Sequence, residues 1–369
     1  MPFLPAAAAQ PRFFNIDLLR AIAALLVVWM HTTEVFVPLI HAGQVKGLWL
    51  YTLARSMEFG SMGVVAFFAI SGFVIPASLR GTPKQTAIHN FGISRILRLY
   101  PAFWVSVLPG AFAHYWLWGR AFSPLDVFLN LSMVPQLLGA QPAQGLYWTL
   151  AIERVGVSGM GCFVVVSRVS LCALGWLHRA SRLIGVCFTL LLAFCIFRRT
   201  EYANAFAHLS TMFFGAICRQ FIDSNAPRVR HQLGLAIGLV LFFWLAFMPG
   251  YGMWAIATGR AAPMYSGFFI SYAVAIALFC LALVLPSIRK GAWTWLGHLR
   301  SSIYLLHPDV FYPQLWLDKH SPLLQSLHLN LAIYVAITMA ITVALATANY
   351  YGVEKPAMAL GQRLRKRIS

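Results

Sequence analysis

The stretch DLLRAIAALLVVWMHTTEVF, from Asp17 to Phe36, decides the class of fold. As a helix it is long enough to cross the roughly 30 Å of hydrocarbon in a bilayer, yet it carries Arg20, His31 and Glu34. Ionisable side chains are costly in lipid, and those found within a span face a cavity or a charged partner. The stretch therefore predicts a membrane-spanning helix with one functional face.

The composition extends this prediction to the whole chain. Of the 369 residues, 60% are hydrophobic and only 10% are charged, whereas charged residues make up about 25% of a soluble domain. The formal net charge of +18 is compatible with a nucleic-acid partner, but nucleic-acid sites lie on polar domains with a basic face. Here the basic residues lie between apolar runs, so we expect the lipid bilayer as a partner and no nucleic acid.

Apolar runs long enough to span a bilayer recur along the chain. They predict an all-α integral membrane protein, a bundle of about ten transmembrane helices. No stretch resembles a linker to a second domain. The runs cover residues 18–39, 60–79, 99–118, 148–167, 183–198, 206–222, 232–249, 264–286, 299–317 and 328–350.

The basic residues indicate how these spans are oriented. With the N-terminus inside, twenty of the 28 Lys and Arg residues lie in inner segments and seven in outer segments, and cytoplasmic loops carry such an excess. Both termini are therefore predicted to be cytoplasmic. The predicted parts are an N-terminal cytoplasmic tail at 1–13, a membrane domain at 14–355 and a basic cytoplasmic tail at 356–369.

Arg20 and His31 share one helix face. Their separation of eleven residues brings them within about 20° of three full turns, with a rise of about 16 Å. Glu34 follows one turn after His31 and is placed to orient the imidazole. Two alternatives stay open: His31 as a hydrogen-bonded interior histidine, and Arg20 as an anchor that obeys the positive-inside rule.

Arg95 and Arg98 lie one turn apart in FGISRILRLYP, at the start of the third span. Guanidinium groups are suited to bind phosphate in a bidentate manner, although an anchoring role explains them as well. In GLYWTLAIERV, Glu153 lies inside the fourth span and needs a basic partner or a wet cavity. Both stretches are therefore candidates for a polar site within the bundle.

The stretch SSIYLLHP places Ser302, Tyr304 and His307 in the ninth span. These residues do not share one clean helix face, so we interpret them as residues that line a cavity. For His307, a structural role in the interior is the alternative. The six cysteines of the chain form no C-x-x-C pair, and we expect no metal site.

Taken in order, five stretches resemble the acyltransferase-3 family of multi-pass membrane O-acyltransferases. The similarity covers most of the chain, roughly residues 14 to 355, and five motifs in the right order are far more specific than any one alone. The matching stretches are IDLLRAIAALLVVWMH (16–31), GVVAFFAISGFVI (63–75), RILRLYPAFW (95–104), YWTLAIE (147–153) and SSIYLLHP (301–308).

The resemblance implies a function and a cellular location. Members transfer an acyl group, commonly acetyl, from cytoplasmic acyl-CoA to a hydroxyl of an extracytoplasmic glycan or lipid-linked sugar. It implies a multi-pass protein of the bacterial plasma (inner) membrane, with acyl-CoA as co-substrate and no permanently bound cofactor. A secondary transporter or flippase of a glycan or small polar solute is the alternative, because its buried His, Arg and Glu would look similar.

The resemblance also assigns roles to the candidate residues. His31 is then a general base on the acceptor hydroxyl or a transient acyl carrier, and the sequence does not choose between the two. The expected catalytic residues are His31, Glu153 and Glu34; the expected acyl-CoA ligands are Arg20, Arg95 and Arg98; and the expected cavity-lining residues are Trp148, Ser302, Tyr304 and His307.

Overall fold

The computed structural model describes residues 13–78, 84–119, 123–145, 147, 152, 174–197, 202–259, 266–286 and 291–368. These residues are almost entirely helical, and within these ranges the only β pairing is an isolated bridge between Lys46 and Asn330. The helices are α1 (Phe14–His41), α2 (Leu48–Ser56), α3 (Phe59–Ser78), α4 (Lys84–Phe112), α5 (Pro124–Asn130), α6 (Leu174–Phe197), α7 (Tyr202–Asp223), α8 (Pro227–Phe242), α9 (Met248–Ala257), α10 (Ser266–Val284), α11 (Ala292–Leu306), α12 (Pro308–His320), α13 (Pro322–Leu327), α14 (Leu331–Asn349) and α15 (Lys355–Ile368).

In the described part of the chain, three short segments of π-helix continue longer helices, and one turn of 3₁₀-helix lies in the loop after α5. The π segments extend α4, join α8 to α9 and join α14 to α15, so that each pair reads as one nearly continuous helix. Such segments insert an extra residue into the helical ladder. Their bounds are Ala113–Leu117, Phe243–Phe247 and Tyr350–Glu354, and the 3₁₀ turn is Pro135–Leu138.

The all-helical prediction is confirmed, and in the described part six helices are long and apolar enough to cross a membrane. A shorter apolar helix covers Arg182–Cys195. The larger number of about ten spans stays a prediction. The six are Phe14–His41, Phe59–Pro76, Gly92–Leu117, Pro227–Ala257, Ser266–Val284 and Leu331–Arg365.

One of the predicted runs differs from the structure. Run 299–317 is divided between α11 and α12 at His307, because Pro308 has no N–H to continue the helical ladder. Run 148–167 lies outside the described residues except for Ile152. Run 206–222 corresponds to α7, which is largely buried among other helices.

Helix α1 is central, with α3, α11 and α14 packed around it. Its small buried residues, Ala23 and Ala24, let neighbouring backbones approach closely. A Cβ atom built on Gly63 of α3 would lie 2.5 Å from the carbonyl oxygen of Ala23, and one on Gly297 of α11 would lie 2.5 Å from that of Asp17. Without these two glycines, α3 and α11 would have to move away from α1.

The contacts fix the relative directions of the helices. Helix α11 runs parallel to α1, since Gly297 touches Asp17 and His307 touches His31 further along. Helix α14 runs antiparallel to α1, since Tyr334 near its start contacts Phe36 and Nδ2 of Asn349 at its end donates to the Oγ of Ser302 on α11. The start of α1 and the last helix, α15, therefore lie at the same end of the bundle. Which side of the membrane that end faces stays a prediction.

Helices α3 and α7 meet backbone to backbone. A Cβ atom on Gly72 would overlap the carbonyl oxygen of Met212, and one on Gly215 would overlap that of Ala69. Close approach through small residues is the usual way for helices to associate in a membrane, where lipid is as apolar as the helix surface. This contact braces α3, which in turn supports α1.

We predict that Gly72→Ala and Gly215→Ala each lower the free energy of unfolding by about 1–3 kcal/mol, the usual cost of overpacking. The measurement is thermal unfolding of the purified protein in detergent. Gly238→Ala in α8 is the matched control, because nothing lies within 4 Å of its added Cβ and alanine favours a helix over glycine. Equal stability of all three variants would contradict close α3–α7 contact.

Candidate functional site

Three arginines gather at the end of the bundle where α1 begins, which we call the arginine end. Arg20 is largely buried, and its Nη1 lies 3.3 Å from Oδ1 of Asp17. Arg98 and Arg95, brought alongside by α4, both act electrostatically on the Arg20 guanidinium. Like charges repel, and this arrangement is stabilised by any anion bound among them.

A buried carboxylate lies next to these arginines. Glu354 is only 2% exposed, interacts electrostatically with Arg98 and accepts a hydrogen bond from the Oγ of Ser302. Nδ2 of Asn349 donates to the same Oγ at 2.8 Å. The π segment that ends at Glu354 positions this side chain. Ser302, predicted as a cavity-lining residue, is thus held in a network that ties α11 to α14.

His31 and His307 face each other further along the bundle. Their ring centroids are 5.3 Å apart, and the rings meet edge to face at 77°. His31 is partly exposed and makes no hydrogen bond to any described residue. The structure thus brings together two residues that the sequence placed in different stretches.

The hydrogen bond of His307 fixes its tautomer. Its Nδ1 lies 2.8 Å from the carbonyl oxygen of Tyr304, which can only accept, so Nδ1 carries the proton. Nε2 is then an acceptor, and it is buried without a partner among the described residues. Tyr304 itself is buried, with its ring 6.2 Å from that of Phe67. His307 therefore presents a lone pair toward the interior.

Glu34 does not reach the imidazole of His31. Its side chain is exposed, and within the described part it makes no hydrogen bond. The Glu34 carboxylate instead acts electrostatically on Glu58. Oε1 of Glu58 lies 2.6 Å from Nη1 of Arg55. Burial raises the pKa of Glu58 against the lowering effect of Arg55, and the Glu34 carboxylate adds to the rise. The catalytic role of Glu34 stays a prediction without a contact to support it.

Two other predicted site residues, Trp148 and Glu153, lie outside the described residues. Tyr147, the described residue next to Trp148, is fully buried. Its hydroxyl lies 3.2 Å from the Oγ of Ser106 on α4. The cavity-lining role of Trp148 and the catalytic role of Glu153 therefore stay predictions.

A polar group close to His307 escaped the sequence analysis. Nε2 of Gln144 donates to Oδ1 of Asp309 at 2.6 Å and to the carbonyl oxygen of Ser106 at 3.3 Å. Asp309 follows His307 by two residues and lies in the first turn of α12. The sequence does carry a signal for Asp309, because a carboxylate inside a predicted span, here run 299–317, is a functional candidate in the same way as Glu153. Gln144 offered none, because it lies in a loop.

The loop that carries Gln144 is locked by hydrogen bonds. Nδ2 of Asn130 donates to the carbonyl oxygens of Asp126 and Gln141, both at 2.7 Å, and its Oδ1 accepts from the backbone N–H of Ala143 at 2.8 Å. Ser123 and Asp126 form a capping box at the start of α5. The hydrogen bonds from Ser123 lower the pKa of Asp126. Gln144 is thus held in place from both sides of the loop.

Comparison with known proteins gives one result. A family model described as an acyltransferase domain matches residues 13–347, nearly the whole chain. No curated protein and no solved structure matches. The matched range contains the arginines, both histidines and the group around Gln144.

We predict that Ser302→Ala lowers the free energy of unfolding by about 1–3 kcal/mol, because it leaves buried polar groups of Glu354 and Asn349 without a partner. Thermal unfolding in detergent measures the effect. Ser301→Ala is the matched control, since this neighbouring serine makes no hydrogen bond through its side chain in the described structure. A Ser302→Ala variant as stable as Ser301→Ala would show that the network contributes nothing.

Proposed function

Because the chain belongs to the acyltransferase-3 family, we propose that it is a membrane O-acyltransferase. In this proposal it moves an acyl group, acetyl in the simplest case, from cytoplasmic acyl-CoA to a hydroxyl of an extracytoplasmic or lipid-linked glycan. The observation that carries the proposal is the geometry of α1. Arg20 lies among other arginines at one end, and His31 lies against His307 about 16 Å further along the same helix face.

The arginine end supports a donor site. Acyl-CoA carries several phosphates, and Arg20, Arg95 and Arg98 together offer planar donor groups that match phosphate oxygens. Their positive charge is offset on the protein side by Asp17 and Glu354, which interact with Arg20 and Arg98. The pantetheine arm then extends along α1 and delivers the thioester to the histidines.

Two routes of acyl transfer are compatible with this geometry. As a general base, His31 takes the proton of the acceptor hydroxyl while the hydroxyl oxygen attacks the thioester carbonyl. The departing CoA thiolate then receives that proton from His31. As an acyl carrier, the imidazole nitrogen of His31 attacks first and releases CoA, after which the hydroxyl takes the acyl group. In either route the products are an ester and free CoA.

We predict that His31→Ala reduces ester formation by at least about 100-fold, the scale of a lost general base, while the protein still inserts and accumulates. The readout is transfer from isotopically labelled acetyl-CoA to membrane or surface glycans, followed by mass spectrometry. His320→Ala, an exposed histidine on α12, is the control for loss of a histidine. Full transfer by His31→Ala would refute the mechanism and would assign His31 a purely structural role in the interior.

We predict that Arg98→Ala weakens acyl-CoA binding by about 1–3 kcal/mol, as expected for loss of a charge-assisted hydrogen bond. Arg98→Lys should also weaken it if the contact to phosphate is bidentate. Titration calorimetry in detergent measures the affinity, and Arg228→Ala, an exposed basic residue at the start of α8, controls for net charge. No acyl-CoA binding by the unchanged protein would instead favour the transporter alternative.

A further inference from the structure

Two buried acceptor atoms near the histidine pair have no hydrogen-bond donor in the described structure. They are Oδ2 of Asp309 and Oε1 of Gln144. A buried acceptor without a donor costs about 1–3 kcal/mol, and such groups in native proteins call for an explanation. Here both lie in one hydrogen-bonded group, joined by the bond from Gln144 to Asp309.

Hydrogen bonds and close packing hold the Gln144–Asp309 group in one arrangement. Both amide protons of Gln144 are used, one for Asp309 and one for the carbonyl oxygen of Ser106, so the orientation of its free oxygen is fixed. Gly110 of α4 lies against the Gln144 side chain, where an added Cβ would come within 2.9 Å of Nε2. A side chain at position 110 would therefore displace the Gln144 amide from this position. Asn130 holds the loop from the other side.

The Gln144–Asp309 group also lies close to the pair of His31 and His307. Asp309 is two residues after His307, whose own Nε2 is buried and without a partner in the described part of the chain. His307 is in ring contact with His31. Three acceptor atoms with no donor thus occur within one region of the described structure.

We propose that Gln144 and Asp309 form a subsite that binds hydroxyl groups of a sugar acceptor next to the hydroxyl that is acylated. The inference rests on the proposed function and deepens it. A ligand that satisfies these atoms must bring several donors on a compact frame, and the vicinal hydroxyls of a hexose do so. Sites that hydrogen-bond a substrate hydroxyl reject analogues without it strongly, because their own polar groups are then left unpaired.

The test compares two acceptors that share an alkyl chain. Octyl β-glucoside carries a hexose, whereas 1-octanol carries one hydroxyl, which can be acylated but leaves the subsite empty. Transfer from labelled acetyl-CoA is measured for both, with the protein in a detergent that has no hydroxyl groups. The unchanged protein is expected to prefer the glucoside. The Asp309→Asn variant replaces the free acceptor atom by a donor. It should therefore lower kcat/KM for the glucoside by at least about tenfold, with little effect on kcat/KM for octanol.

Asp318→Asn is the matched control. Asp318 is also buried on α12, and its Oδ1 accepts from the hydroxyl of Tyr334, while its Oδ2 has no partner in the described structure. It lies about two and a half turns beyond Asp309 along the helix, away from the histidines. This variant should keep the preference for the glucoside. Acetyl-CoA affinity and thermal unfolding should be unchanged in Asp309→Asn, which separates acceptor binding from donor binding and from folding.

Several outcomes would overturn the subsite. They are an equal effect of Asp309→Asn on both acceptors, an equal effect of Asp318→Asn, and a wild-type protein that esterifies octanol as well as or better than the glucoside. A protein that binds acetyl-CoA through Arg98 but esterifies neither probe also counts against a hexose subsite, and leaves the donor site standing. Failure of acetyl-CoA binding altogether would refute the proposed function itself.

Discussion

The close contact between α1 and α11 sets the geometry of the whole candidate site. Gly297 of α11 lies directly on the backbone of Asp17, and no side chain separates the two helices there. Because the helices run parallel from this point, their later residues meet in a fixed register. His31 and His307 come together as a result, even though each belongs to a different stretch of sequence. A larger residue at position 297 would change both the spacing and the register.

Helix α11 also connects the histidine pair with the arginine end. Glu354 interacts with Arg98 on α4 and accepts a hydrogen bond from Ser302 on α11. Ser302 lies less than two turns before His307. The charge that balances the arginine end is thus anchored on the helix that presents the second histidine. A buried carboxylate of this kind needs both its charge partner and its hydrogen bonds, since an unpaired one is strongly destabilising.

Polar groups are arranged along α1 in layers of different chemistry. Guanidinium groups and carboxylates lie at the arginine end, two imidazoles follow, and the amide and carboxylate of Gln144 and Asp309 lie beside them. Between and around these layers the packing is apolar, as in the cluster that contains Val27, Phe103 and Tyr304. This separation suits a reaction whose donor is anionic and whose acceptor is a neutral alcohol, because each part of the site offers one kind of group.

The sequence by itself determined what depends on one helix. Composition predicted the all-helical membrane class, and helix geometry placed Arg20 and His31 on one face, because rise and turn per residue are local properties. The break at Pro308 is local as well, because proline has no N–H, but the sequence analysis treats run 299–317 as one span. Only the tertiary structure decided the contacts between helices. It paired His31 with His307 instead of Glu34, tied Ser302 to Glu354, and joined Gln144 to Asp309, because the rotation and register of one helix against another depend on packing across the whole bundle.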